Sequence, residues 1–221
     1  MSTLQNDFDR IALVSPDGAA HNDHYHNFLL RHLPSNCHHV LEIGCGTGAF
    51  ARCLAERSQH VLAFDLSPEM IRIAREHSTL FPNIEFQLAD VRDVPFPSAS
   101  FDCIASIATL HHLPFPEMLM KMKTALKPGG VLLILDLFEP AGLTDSLLNL
   151  LALPLSATLR LIHYGRLLPP REARSAWAAH EHHDFYPTMS DVRAVCERLL
   201  PGARIKQHLL WRYSIVWQKP A

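Results

Sequence analysis

Between residues 40 and 135, short apolar runs alternate with stretches of helical period. No other feature constrains the fold as strongly. Val40-Leu41-Glu42-Ile43 reads as a buried strand, followed by a helix over residues 49–57. Residues 60–64 give a second strand, ending at Asp65. Ser67 is placed to cap the next helix, with Pro68 at its first position and Met70, Ile71, Ile73 and Ala74 as its apolar face. A third strand is expected over 83–88, ending near Asp90, and a fourth over 101–106. The helix over 115–126 is expected to stop at Pro128-Gly129-Gly130. Val131-Leu132-Leu133-Ile134-Leu135 is unbroken and apolar, as suits a parallel strand buried on both faces. Strands and helices in this alternation imply a parallel sheet with right-handed crossovers.

The flanks differ. Residues 22–32 read as a helical arm, and residues 140–187 as a long, irregular, helix-rich segment. Ser190 is expected to cap a helix to about residue 200, with strands over 203–208 and 210–217 closing the chain as a hairpin. The expected organisation is one domain over 1–221. Its parts are an arm or lid (1–36), a cofactor-binding core (37–138), a helical insertion shaping a substrate pocket (139–188), and a closing helix with a C-terminal β-hairpin (189–221). Hydrophobic residues at 48% and charged residues at 19% support a packed core and exclude disorder. A net charge of -2 argues against a nucleic-acid partner. Five cysteines without C-x-x-C spacing fit a reducing interior, and the polar residues 1–10 lack a signal-peptide core. The apolar stretch 147–159 is too short to span a bilayer. The expectation is a cytoplasmic protein without stable membrane insertion.

Glu42-Ile43-Gly44-Cys45-Gly46-Thr47-Gly48 lies between a predicted strand and helix. Glycines there allow a sharp turn and close approach of a ligand to the backbone. With Ala49 the loop also reads as G-x-G-x-x-A, the dinucleotide pattern that seats a pyrophosphate. Asp65 and Asp90 place carboxylates at the next two strand ends, and Glu42 supplies a third. Such an acidic pocket suits a cationic sulfonium better than a pyrophosphate.

Val40-Leu41-Glu42-Ile43-Gly44-Cys45-Gly46-Thr47-Gly48 resembles the first motif of class I S-adenosylmethionine-dependent methyltransferases of the small-molecule, type 11-like kind. Leu88-Ala89-Asp90-Val91, Phe101-Asp102-Cys103-Ile104-Ala105-Ser106 and Leu126-Lys127-Pro128-Gly129-Gly130-Val131-Leu132 resemble its later motifs, in order. The resemblance covers about residues 38–137. It implies a Rossmann-like, doubly wound, seven-stranded α/β sheet of order 3-2-1-4-5-7-6, mostly parallel with an antiparallel C-terminal strand, and helices on both faces. The implied cofactor is S-adenosylmethionine, the product S-adenosylhomocysteine and the acceptor a small molecule. By the same resemblance Glu42 lies near the methionine amino end. Gly44, Cys45 and Gly46 bring backbone to the methionine and ribose parts. Asp65 binds the ribose hydroxyls, and Leu66 flanks the adenine. Asp90 accepts from the adenine amino group, beside the Val91 N–H. Ser106, ending the fourth strand, offers its carbonyl to the amino group. Two rivals stay open: an NAD(P)-dependent Rossmann oxidoreductase, and an inactive cofactor-binding partner protein.

The chain also holds 15 histidines. The clusters His180-Glu181-His182-His183-Asp184 and His21-x-x-His24-x-His26 lack the H-E-x-x-H spacing, and no metal is expected. His111-His112 follows the fourth strand, where the family places the methyl group and acceptor. One of the two is expected to face the ligand and serve as a general base. Tyr25, on the arm, is expected to reach the cofactor. The leucine-rich 147–159 reads as a buried lid helix, a wall for an apolar acceptor or a membrane-surface contact, with Tyr164, Arg166, Trp177 and Tyr186 as candidate pocket walls. So many imidazoles predict binding that changes between about pH 5.5 and 7.5.

Overall fold

The computed structural model describes residues 3–14, 22–140, 158, 171–181 and 186–221. Seven strands form one sheet: β1 (His39–Ile43), β2 (His60–Asp65), β3 (Ile84–Leu88), β4 (Phe101–Ile107), β5 (Leu126–Leu137), β6 (Arg204–His208) and β7 (Arg212–Gln218). Their order is β3-β2-β1-β4-β5-β7-β6, as expected. β1 is parallel to β2 and β4, β2 to β3, and β4 to β5; β7 runs antiparallel between β5 and β6. The chain winds one way from β1 to β3 and the other way from β4. The carboxyl ends of β1 and β4 therefore part company and leave a crevice, where open α/β sheets bind ligands.

Helices cover both faces. On one, α2 (Asp23–Leu30), α3 (Ala49–Ala55) and α4 (Pro68–His77) bring Leu29, Leu54 and Ile71 against Val40, Ala63 and Cys103. On the other, α5 (Phe115–Ala125) and α7 (Met189–Leu199) bring Leu119, Met122 and Val192 against Leu41, Ile104 and Leu132. Each fully buried leucine or isoleucine of these layers is worth about 1.5–3 kcal/mol. The four residues expected on the apolar face of α4 are all buried, and the Ser67 hydroxyl accepts the Met70 N–H at 3.1 Å.

Several local expectations change. Pro128-Gly129-Gly130 does not stop α5. The helix ends at Ala125, and the three residues lie inside β5, where Gly129 N–H donates to Lys219 O and Lys219 N–H to Gly130 O. β5 runs on to Leu137 and so carries Asp136. Thr188, not Ser190, caps α7, because Asp191 three residues on completes a capping box. Thr3–Val14 forms a helix, α1, that was not anticipated. Its Ile11 and Ala12 are buried with Met70 and Ile73 of α4 and Ala176 of α6 (Arg171–Glu181). The leucine-rich stretch, Tyr164, Arg166, His21, His182 and His183 lie outside the described residues.

Candidate functional site

The crevice is built by the turns that follow four strands. After β1, Gly44 takes φ +73°, and the Gly44 and Cys45 N–H groups both donate to Phe64 O of β2 at 2.9 Å. The turn after β4 explains why a glycine stands there. Ala108 adopts φ +50°, unusual for a residue with a Cβ. It brings Thr109 so close that a Cβ on Gly44 would lie 2.0 Å from Thr109 Oγ1. Gly46, at φ +51°, has nothing within 4 Å of a Cβ position, so its open side can receive a ligand. Asp65, ending β2, accepts the Gly46 N–H at 2.8 Å and the Ser67 N–H at 2.9 Å, tying the loop to the start of α4.

A cavity of about 160 Å³ opens here. Of the residues expected at the site, Gly44, Gly46, Asp65, Leu66, Asp90, Val91 and His112 line it. Glu42, on β1 and coupled by charge to Asp65 of the wall, is 1% exposed, with no hydrogen-bond partner for its Oε2. Burial pushes its carboxyl well above the ordinary range; the Asp65 charge adds to this, and Arg52 opposes it. Asp65 is also raised, mainly by burial, against the pull of its backbone donors. Asp90 is held low by hydrogen bonds from Arg92, whose Nε and Nη2 grip both of its oxygens.

Four expected residues sit elsewhere. Tyr25 points away from the cavity and donates its hydroxyl to Leu209 O at 2.7 Å, packing α2 against the C-terminal hairpin. Cys45 is buried in the core with Phe50 and Leu54. Ser106 is one residue short of the strand end, and its hydroxyl donates to Ile43 O. Ile107, Ala108 and Thr109 border the cavity in its place. His111 turns from the cavity to Asp136: its Nδ1–H donates to Oδ1 at 2.6 Å and its N–H to Oδ2 at 3.0 Å.

Part of the wall was not anticipated. Leu4 and Phe8 of α1 close one side. α1 is anchored by Asp9, whose Oδ1 accepts from Ser67 Oγ at 2.5 Å and from Glu69 N–H at 3.3 Å. The Phe8 ring meets His112 edge-on at 5.4 Å and His180 of α6 at 4.7 Å. Among the described residues no three His, Cys, Asp or Glu side chains gather as metal ligands. No helix among them is long and apolar enough to cross a membrane.

Known proteins resemble this chain in sequence and in fold. Residues 40–130 match a family described as a methyltransferase domain. The chain is 28% identical over 200 residues to an uncharacterized methyltransferase of Mycobacterium tuberculosis, covering 90% of this chain and 96% of that one. It is 32% identical over 111 residues to a ubiquinone biosynthesis O-methyltransferase of Xylella fastidiosa, covering 49% and 45%. Among solved structures it is similar to the N-methyltransferase NodS of Bradyrhizobium japonicum in complex with S-adenosylhomocysteine. The TM-score is 0.68 at 17% identity, with 100% of both chains covered.

Proposed function

We propose that the chain is a class I S-adenosylmethionine-dependent methyltransferase, as its methyltransferase relatives and fold neighbours support, and that it methylates a small, largely apolar acceptor. One observation carries the donor site: a buried Glu42 carboxyl with no hydrogen-bond partner at Oε2, its charge coupled to that of Asp65 on the cavity wall. A buried polar atom without a partner is costly, and an ammonium group arriving there relieves that cost. Gly44 and Gly46 would present backbone to the donor's methionine and ribose. Asp65 has acceptor capacity left after its two backbone donors and would take the ribose hydroxyls. Leu66 would flank the adenine. Asp90, oriented by Arg92, would accept from the adenine amino group beside Val91. The bound donor supplies a methyl group already activated on a sulfonium and leaves as S-adenosylhomocysteine. The protein's task is then alignment and exclusion of water.

His112, on the cavity wall, is the residue we assign to the acceptor's proton. α1, rather than the Tyr25 helix, is the lid. A small, apolar acceptor is supported by the walls of Leu4, Phe8, Ile107 and Leu113 and by the similarity to the ubiquinone biosynthesis enzyme. The five free thiols support a cytoplasmic setting, and the net charge of -2 speaks against a nucleic-acid acceptor. Calorimetry with S-adenosylmethionine, S-adenosylhomocysteine and NAD tests the donor. Binding of the first two is expected; binding of NAD alone would overturn the reading in favour of an oxidoreductase.

A further inference from the structure

The His112 ring neighbours two other histidine rings, each near a carboxyl group. The His111 centroid is 3.8 Å away, and its Nδ1 lies 2.6 Å from Asp136 Oδ1 of β5. The His180 centroid, on α6, is 5.0 Å away, and its Nδ1 lies 3.9 Å from Asp7 Oδ2 of α1, an ion-pair separation longer than a hydrogen bond. Asp136 is 1% exposed and accepts three N–H groups: His111 N, His111 Nδ1 and Leu137 N. With two backbone N–H groups already on Asp136, the 2.6 Å contact favours the Nδ1–H tautomer of His111, beside His112. Among the described residues the other titratable groups near this cluster include Tyr186, 5.1 Å from the His111 ring, Tyr213, opposite Asp136 on β7, and Arg212, whose charge reaches Asp136. Asp65, Asp90 and Arg92 share the cavity wall with His112.

Carboxyl groups beside the neighbouring imidazoles favour a positive charge forming on the His112 ring. That arrangement suits a reaction in which His112 gains a proton. A carboxylic acid acceptor is already ionised at neutral pH and gives up no proton on methylation. A neutral, weakly acidic hydroxyl fits the apolar walls and needs a base.

We propose that Asp136 and Asp7 are positioning residues, acting through His111 and His180 on His112, and that the acceptor is a phenol-like or enol-like hydroxyl. This rests on the methyl-transfer reading above. The acceptor oxygen forms a bond to the methyl carbon as the bond from that carbon to sulfur breaks. The electron pair of the broken bond goes to sulfur, and the hydroxyl proton passes to a His112 ring nitrogen and then to water.

The test combines spectroscopy with turnover. Histidine ring ¹⁵N resonances, assigned by loss in His112→Gln and His111→Gln, report which nitrogen carries each proton. Wild type is expected to show His111 as the Nδ1–H tautomer. In Asp136→Asn an amide N–H₂ replaces one acceptor, and His111 is expected to change to Nε2–H. Labelled methyl transfer is followed with 4-alkylcatechol, the matched aniline and the matched benzoic acid. The catechol ether is the expected product. Asp136→Asn should lower kcat by about 10²–10⁴-fold, with KM changed less than threefold. Asp7→Asn, at a more exposed position, should fold in any case and lower kcat roughly tenfold, a share of the same base effect. His112→Ala should lose the rate and recover part of it with added imidazole. An unchanged His111 tautomer in Asp136→Asn, no imidazole rescue, or methylation of the aniline or benzoate instead would overturn the proposal. Failure of wild type to bind S-adenosylhomocysteine by calorimetry would instead remove the donor reading, and the tautomer measurement is independent of it.

Discussion

Gly44→Ala separates a steric requirement from a functional one at the glycine loop. Two costs act on the folded state. At φ +73° a Cβ costs about 1–2 kcal/mol by itself. The new methyl would also lie 2.0 Å from Thr109 Oγ1 and 2.5 Å from Thr109 Cγ2, far inside contact distance. Overpacking of this kind adds about 1–3 kcal/mol. The total, about 2–5 kcal/mol, corresponds to a fall of roughly 5–20 °C in Tm for a chain of this size. Gly46→Ala is the control. It shares the positive φ, but no atom lies within 4 Å of its Cβ, so only about 1–2 kcal/mol is expected. Its methyl would project where the ligand is proposed to sit, so its main effect should be on binding of S-adenosylhomocysteine. Thr109→Ala in the Gly44→Ala background should restore about 0.5–3 kcal/mol, since the two residues share one space. Urea unfolding and titration calorimetry on the four proteins read both quantities. A loss below about 1 kcal/mol in Gly44→Ala, or no recovery with Thr109→Ala, would refute the steric account.

Three further outcomes follow from the same structure. Burial raises the pKa values of Glu42 and Asp65, so their contribution to stability is present at low pH and lost as pH rises through the folded values. An ammonium beside Glu42 favours its ionised form, so binding of S-adenosylhomocysteine should be linked to proton release and its enthalpy should vary with buffer ionisation enthalpy; a buffer-independent enthalpy counts against the Glu42 assignment. Burial, with Lys206 and His24, pushes His208 down to about 4, so its contribution is present above the unfolded value near 6.5 and lost as pH falls toward 4. His208→Gln should flatten the pH dependence of unfolding in that window, and an unchanged slope would show that the hairpin does not sense it. Removing residues 2–14 takes away Leu4 and Phe8, and the lost apolar contact should weaken S-adenosylhomocysteine binding roughly 5–30-fold; unaltered affinity by calorimetry would end the lid assignment. The cut stops before α2, because Leu29 and Leu30 belong to the main core.

The sheet was legible because a parallel strand covered on both faces requires an unbroken apolar run, and the turn after it requires glycine or a cap. The strand-end acids Asp65 and Asp90 could therefore be placed from order alone. α1 escaped because Phe8, Ile11 and Ala12 are a thin stripe in a polar segment; the helix depends on α4 and α6 to bury it. The Thr188 cap was readable from Asp191 three residues on, but Ser190 competes as a cap in sequence. Tyr25 had the right chemistry for a ligand contact, yet its hydroxyl partner, Leu209 O, is 184 residues away. Asp136 left a visible signal, an acid in an otherwise apolar strand. Its partner His111 could be found only in three dimensions.

α1 sets a timetable as well as a shape. Leu4 and Phe8 cover the cavity for as long as Asp9 holds Ser67 and the N-terminus of α4. With the donor in the proposed site, exchange of spent for fresh donor past that wall requires α1 to undock, so the same contact that shelters the reaction also gates its supply.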